Sequence, residues 1–93
     1  MIVGVCKIEL FLPQSRSLKA KRQVLKSLKD RIRNRFNVSI AEVDHQDLWQ
    51  RGTLALAIVS GEKKYVNRMM QQILAIVYSE PRLQLLNHSF DWY

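Results

Sequence analysis

The stretch Ser17-Leu18-Lys-Ala-Lys-Arg-Gln-Val-Leu25-Lys-Ser-Leu28-Lys-Asp-Arg-Ile32-Arg-Asn-Arg-Phe36 decides the architecture of this chain. Leu18, Leu25, Leu28, Ile32 and Phe36 recur at spacings of 7, 3, 4 and 4, which is the apolar stripe of a helix. Ser17 precedes the first stripe residue and suits an N-cap, so the pattern predicts a helix over about 17–36. Lys19, Arg22, Lys26, Lys29 and Arg33 make a second stripe beside the apolar one. Lys21 falls at the apolar edge, where its ammonium is expected to snorkel to water. Arg31 and Arg35 fall on the opposite flank.

Working outward, residues 2–12 alternate with period 2. Ile2, Gly4, Cys6, Ile8, Leu10 and Leu12 share one parity, and Lys7 and Glu9 lie on the other, as in a half-buried strand. Pro13 to Ser17 breaks it. After the helix, residues 38–45 read as a second strand, with Glu42 and Asp44 expected on one side and His45 on the other. Residues 46–52 read as a loop containing Trp49 and Arg51, and Thr53 to Ser60 as an apolar third strand. Ser60 is a candidate cap, with Glu62 in the first turn, for a second helix over about 61–80 that Pro81 ends. Val66, Met69, Met70, Ile73, Ile76 and Val77 are its buried stripe. Residues 82–93 form a last strand whose apolar parity switches near Leu86, predicting a bulge there. The order β-α-β-β-α-β gives a ferredoxin-like α+β sandwich. Its four antiparallel strands run in the order 4-1-3-2, with both helices on one face.

The chain has 93 residues, enough for one domain, 1–93, with an expected radius of gyration of about 12–13 Å. Hydrophobic residues at 47% and charged residues at 25% exclude disorder as the main state. One cysteine excludes a disulfide scaffold and fits a reducing compartment. The start lacks the basic stretch of a signal peptide, and no apolar run approaches the length of a membrane span. The expectation is a cytoplasmic protein with no membrane partner. Formal net charge is +7, and it is concentrated. From Arg16 to Arg35 nine basic side chains face Asp30 alone, while the rest of the chain carries six basic and seven acidic residues. A patch of this kind points to an anionic partner.

Three segments resemble the bacterial YlxP-like family, also called the domain of unknown function 503. They are Leu12-Pro13 with Ser17-Leu18-Lys19-Ala20-Lys21-Arg22, then Phe36-Asn37-Val38-Ser39-Ile40-Ala41-Glu42-Val43, then Asp47-Leu48-Trp49-Gln50-Arg51. The resemblance spans essentially the whole chain. It implies the ferredoxin-like fold and no enzyme activity. It also brings a gene context of translation factors and ribosome maturation, which points toward RNA. Family members often carry Glu where this chain has Ala20; a Glu there would complete a capping box with Ser17.

The basic stripe is the leading site. Lys19, Arg22, Lys26, Lys29 and Arg33, with Arg16 and Ser17 at the helix start, can follow a phosphate backbone of structured RNA or the ribosome. The bland reading is a solvated helix face, but apart from Asp30 the acids that would pair such a face are missing. The turn Gln14 to Lys19 offers backbone N–H groups and hydroxyls to one phosphate, although plain capping is the better account of it. Acylphosphatase shares the expected fold, but its glycine-rich phosphate loop is not matched. The third strand lacks the aromatics that stack bases in RNA-recognition modules. Glu42, Asp44, His45 and Asp47 match no metal-binding spacing, so no metal or cofactor is expected. Cys6 reads as a core thiol, and nothing is spaced to activate it, so no enzyme is expected. The alternative function is a homodimeric interaction module. Val3, Val5 and Phe11 leave the second face of the first strand apolar, and a second copy could cover it.

Overall fold

A computed structural model describes residues 1–93. The elements run β1 (Ile2–Phe11), α1 (Leu18–Arg35), β2 (Ser39–Asp44), β3 (Arg51–Ser60), α2 (Lys63–Tyr78) and β4 (Gln84–Trp92). They form one antiparallel sheet in the order β2-β3-β1-β4, the expected order read from the other edge. The radius of gyration is 13.1 Å. No helix is long and apolar enough to cross a membrane.

The core lies between the helices and one sheet face. Cys6, Ile8 and Leu10 of β1 and Leu54, Leu56 and Ile58 of β3 meet Leu25, Leu28 and Ile32 of α1. Val66, Met70, Ile73 and Val77 of α2 close it from the other end of the sheet. Gly4 is required where α2 crosses β1, because a Cβ there would collide with Val66 and press on Trp92.

The other face of the sheet is open. It carries Val3, Val5, Lys7, Glu9 and Phe11 of β1, opposite Val59, Ala57, Ala55, Thr53 and Arg51 of β3. The second helix starts later than the sequence suggests. Ser60 accepts the Glu62 N–H at 3.2 Å and closes a turn, and the N-cap is Glu62, without a side-chain bond. The third strand starts earlier, because Arg51 and Gly52 already pair with Phe11 and Leu10.

Both edge strands are bulged. On β4, Glu9 pairs with Asn87 and Leu10 with Leu85, which leaves Leu86 extra, at the predicted place. On β2, Glu42 pairs with Leu54 and Asp44 with Thr53, so the extra residue is Val43. The second bulge corrects the expected alternation. Because their partners on β3 are successive residues, Glu42 turns toward the helices and Asp44 toward the open face.

Candidate nucleic-acid interface

Helix α1 lies with its buried stripe of Lys21, Leu25, Leu28 and Ile32 on the sheet, and its two flanks differ in charge balance. The flank toward α2 holds one buried acid that offsets part of its charge. Glu80, just past α2, is buried and accepts from Arg82 Nε at Oε2, 2.9 Å, and from Arg82 Nη2 at Oε1, 2.8 Å, and Arg31 Nη1 lies 3.6 Å from the same Oε1. These arginines, led by the Arg82 hydrogen bond, hold the Glu80 carboxyl at about 2. Arg35 stacks over the Phe36 ring at 5.4 Å.

The flank toward β2 carries the predicted stripe, and there the acids are few. Arg16, Lys19 and Arg22 are exposed and make no hydrogen bond or ion pair through their side chains. Lys26, with its side chain 75% exposed, bonds Asp30 Oδ2 at 2.7 Å. The Lys26 bond, assisted by Arg33 and Lys29, lowers the Asp30 pKa. Lys29 is half-buried. Arg33 is partly committed: its Nη2 donates to the Ile40 carbonyl at 2.7 Å, and its Nη1 lies 3.8 Å from Asp30 Oδ1. Arg33 therefore ties α1 to the sheet edge as well as contributing charge.

The helix start is capped from within. Ser17 Oγ accepts the Ala20 N–H at 3.0 Å, and the buried Ser15 donates to the Ser17 carbonyl at 3.2 Å. Both hydroxyls are thus used by the turn itself. The first turn holds no acid, so Arg16, Lys19 and Arg22 crowd the positive end of the helix dipole.

Lys21 does not snorkel. Its Nζ is buried, donates to the His45 carbonyl at 2.6 Å and lies 2.8 Å from Glu42 Oε2. His45 turns the chain with φ 59°, which aims that carbonyl at the ammonium, while its Nδ1 meets the buried Thr53 Oγ1 at 2.9 Å. Gly52 lies beneath; a Cβ there would come within 3.3 Å of Leu25 Cδ1 and 3.4 Å of Lys21 Cε. The acidic cluster of the sequence is thereby dispersed. Glu42 serves Lys21, Asp44 accepts the His45 N–H at 2.8 Å, and no three His, Cys, Asp or Glu side chains gather as metal ligands. The network instead fixes the β2–β3 connection, which Gln50 ties to the Pro13 carbonyl at 3.1 Å beside the start of α1. Trp49, 55% exposed, is held on that connection.

Cys6 is buried in the core, and burial pushes its thiol up to about 11, far from a reactive thiolate. Val3, Val5 and Phe11 lie half-buried on the open face, as predicted. Val3 has exposed Val59 opposite it, and the remaining neighbours are small or charged: Ala55, Ala57, Lys7, Glu9 and Arg51. Arg51 escaped the sequence reading because it was assigned to a loop. Its Nε is shielded from water without an acceptor, and the strand parity shared with Thr53 was the signal that places it on this face.

Comparison with known proteins agrees with this architecture. The chain is similar to the de novo designed protein LFR1 1 with ferredoxin fold, at a TM-score of 0.60 and 11% identity, covering 100% of this chain and 84% of that one. It is similar in the same way to the de novo designed protein Foldit4, at a TM-score of 0.57 and 10% identity, covering 100% and 97%. At these identities the likeness shows the ferredoxin-like fold alone. The uncharacterized protein YlxP of Bacillus subtilis (strain 168) is 35% identical over 92 residues, which cover 99% of this chain and 100% of that protein. The model of a family described as a protein of unknown function, DUF503, matches residues 3–90, and the chain belongs to that family.

Proposed function

We propose that this protein is a non-enzymatic accessory factor that binds structured RNA or the ribosome by phosphate contact along the β2 flank of α1. The observation that carries the reading is the contrast between the two flanks. On the α2 side buried Glu80 offsets one charge of Arg31 and Arg82, whereas on the β2 side five cations, Lys19, Arg22, Lys26, Lys29 and Arg33, share one acid, Asp30. Arg16 and the positive end of α1 extend the strip. Such a strip follows a phosphate backbone without reading bases. A single buried thiol and the basic strip both suit the cytoplasm. Self-association through the open face, around Val3, Val5 and Phe11, is the weaker reading, because Lys7, Glu9 and Arg51 interrupt the apolar surface.

The test is charge reversal. Lys19→Glu, Arg22→Glu and Lys26→Glu together remove the strip without touching the Arg33 tie to Ile40. The triple variant should lose binding to ribosomal subunits and structured RNA at low salt, and its thermal transition should stay nearly unchanged, because exposed charges contribute little. Reversal of Lys63, Lys64 and Arg68 on α2, equal in charge, should leave most of the binding. Equal loss from both variants would reduce the effect to net charge and reject the site.

A further inference from the structure

The two edges of the sheet are finished differently. In an antiparallel ladder, backbone groups alternate between inward and outward along a strand. Leu12 N–H bonds the Gln50 carbonyl, so the even residues of β3 face β1 and the odd ones face β2. Ser39 and Ala41, opposite Ala57 and Ala55, therefore point inward, and Ile40 and Glu42 point out of the sheet. Both outward carbonyls are occupied: Ile40 accepts from Arg33 at 2.7 Å and Glu42 from Gln46 Nε2 at 3.2 Å. The Val43 bulge further spoils this edge as a template.

The opposite edge has no such cover. Val3 and Tyr93 exchange both of their backbone bonds, at 2.9 and 2.8 Å. By alternation Asp91, Ser89 and Asn87 also face β1, and Trp92, Phe90 and His88 turn their N–H and C=O groups outward. None of these outward groups receives a side-chain bond. From Asn87 to Tyr93 the strand has neither Pro nor Lys, and Asp91 is its one charged residue. Those are devices that blunt an edge, and the β4 bulge, at Leu86, lies before this stretch and leaves its pairing with β1 regular.

We infer that β4 is a pairing edge for a second copy of this chain, joined antiparallel about Phe90 into one continuous eight-stranded sheet. The edge is self-complementary in that register. Phe90 meets Phe90 of the second copy, His88 meets Trp92, and Ser89 meets Asp91, so no like charges oppose. The outward groups of His88, Phe90 and Trp92 then bond their counterparts. On the helix side the Trp92 ring, over which Lys63 Nζ lies at 5.2 Å, comes beside the second copy's His88, which itself packs edge-on against its own Phe90 at 5.7 Å. An unrelated extended peptide would satisfy the backbone groups but not this pairing of side chains. The inference is independent of RNA binding.

Sedimentation at high micromolar concentration tests it. Wild-type protein should run at twice the 10.9 kDa chain mass; a monomer overturns the inference. His88→Pro removes only an outward N–H, so the β1–β4 ladder survives and the dimer is lost. Ser89→Asp sets Asp91 against a like charge twice per dimer and should weaken association about tenfold, and adding Asp91→Lys should restore it. This pair decides the matter if the proline variant fails to fold. Loss of the dimer in Val5→Glu, with His88→Pro and Ser89→Asp unaffected, places the interface on the open face and overturns the edge.

Discussion

Lys21 is the residue at which sequence and structure part most clearly, and its energetics can be checked. Its ammonium is the counter-charge of Glu42 and the donor to the His45 carbonyl, both shielded from water. Lys21→Met should destabilise the fold by about 3 kcal/mol, because it leaves a carboxylate and a carbonyl without partners. Lys21→Met with Glu42→Leu should recover most of that loss, and urea unfolding would measure both. A net gain in the single variant would contradict the account. The position at the apolar edge of the stripe was legible; the burial was not, because it depends on Glu42 sharing the parity of buried Ile40 and so facing α1, a register the mixed faces of this strand do not reveal. Glu80 yields a second prediction. Its pKa is about 2 in the fold against an ordinary 4.5, so its stabilisation is complete above 4.5 and is lost as pH falls toward 2. Both partner arginines are half exposed, and water screens the cluster to about 1 kcal/mol. Glu80→Gln should flatten that part of the stability–pH curve, as followed by thermal melts between pH 5 and 2. An unchanged curve would show that the arginines do not bind the carboxylate.

At the scale of the element, α1 is a helix whose start breaks a local rule. Ser17 caps it well, but Arg16, Lys19 and Arg22 sit at the positive end of the dipole and Ala20 holds the position of a capping-box acid. Ala20→Glu should raise stability by about 0.5–1 kcal/mol and at the same time weaken RNA binding. If stability rises while affinity holds, the helix start lies outside the interface. The strands show which signals a sequence carries. The β4 bulge was visible, because the apolar parity changes between Leu85 and His88. The β2 bulge was hidden, because Ala41 to Asp44 has no clean apolar face to change. Arg33 is similar: its stripe position could be read, but its bond to Ile40 joins the helix to an edge the sequence does not show.

For the whole molecule, the order of six elements and the sheet topology followed from periodicity and turn chemistry, since each apolar stripe had one sheet face to cover. The concentration of charge in one segment was equally plain. What could not be read was which flank is more strongly positive, because Glu80, the acid that offsets part of the other flank, lies far along the chain and arrives with the end of α2. That asymmetry is the basis of the functional reading. It is tested most directly by the affinity of wild-type protein for structured ribosomal RNA as a function of salt. Four or so phosphate contacts along the strip predict a log–log slope near −3.6, about a hundredfold loss between 50 and 200 mM salt. Absence of binding at low salt, or an affinity indifferent to salt, would contradict phosphate contact by this helix.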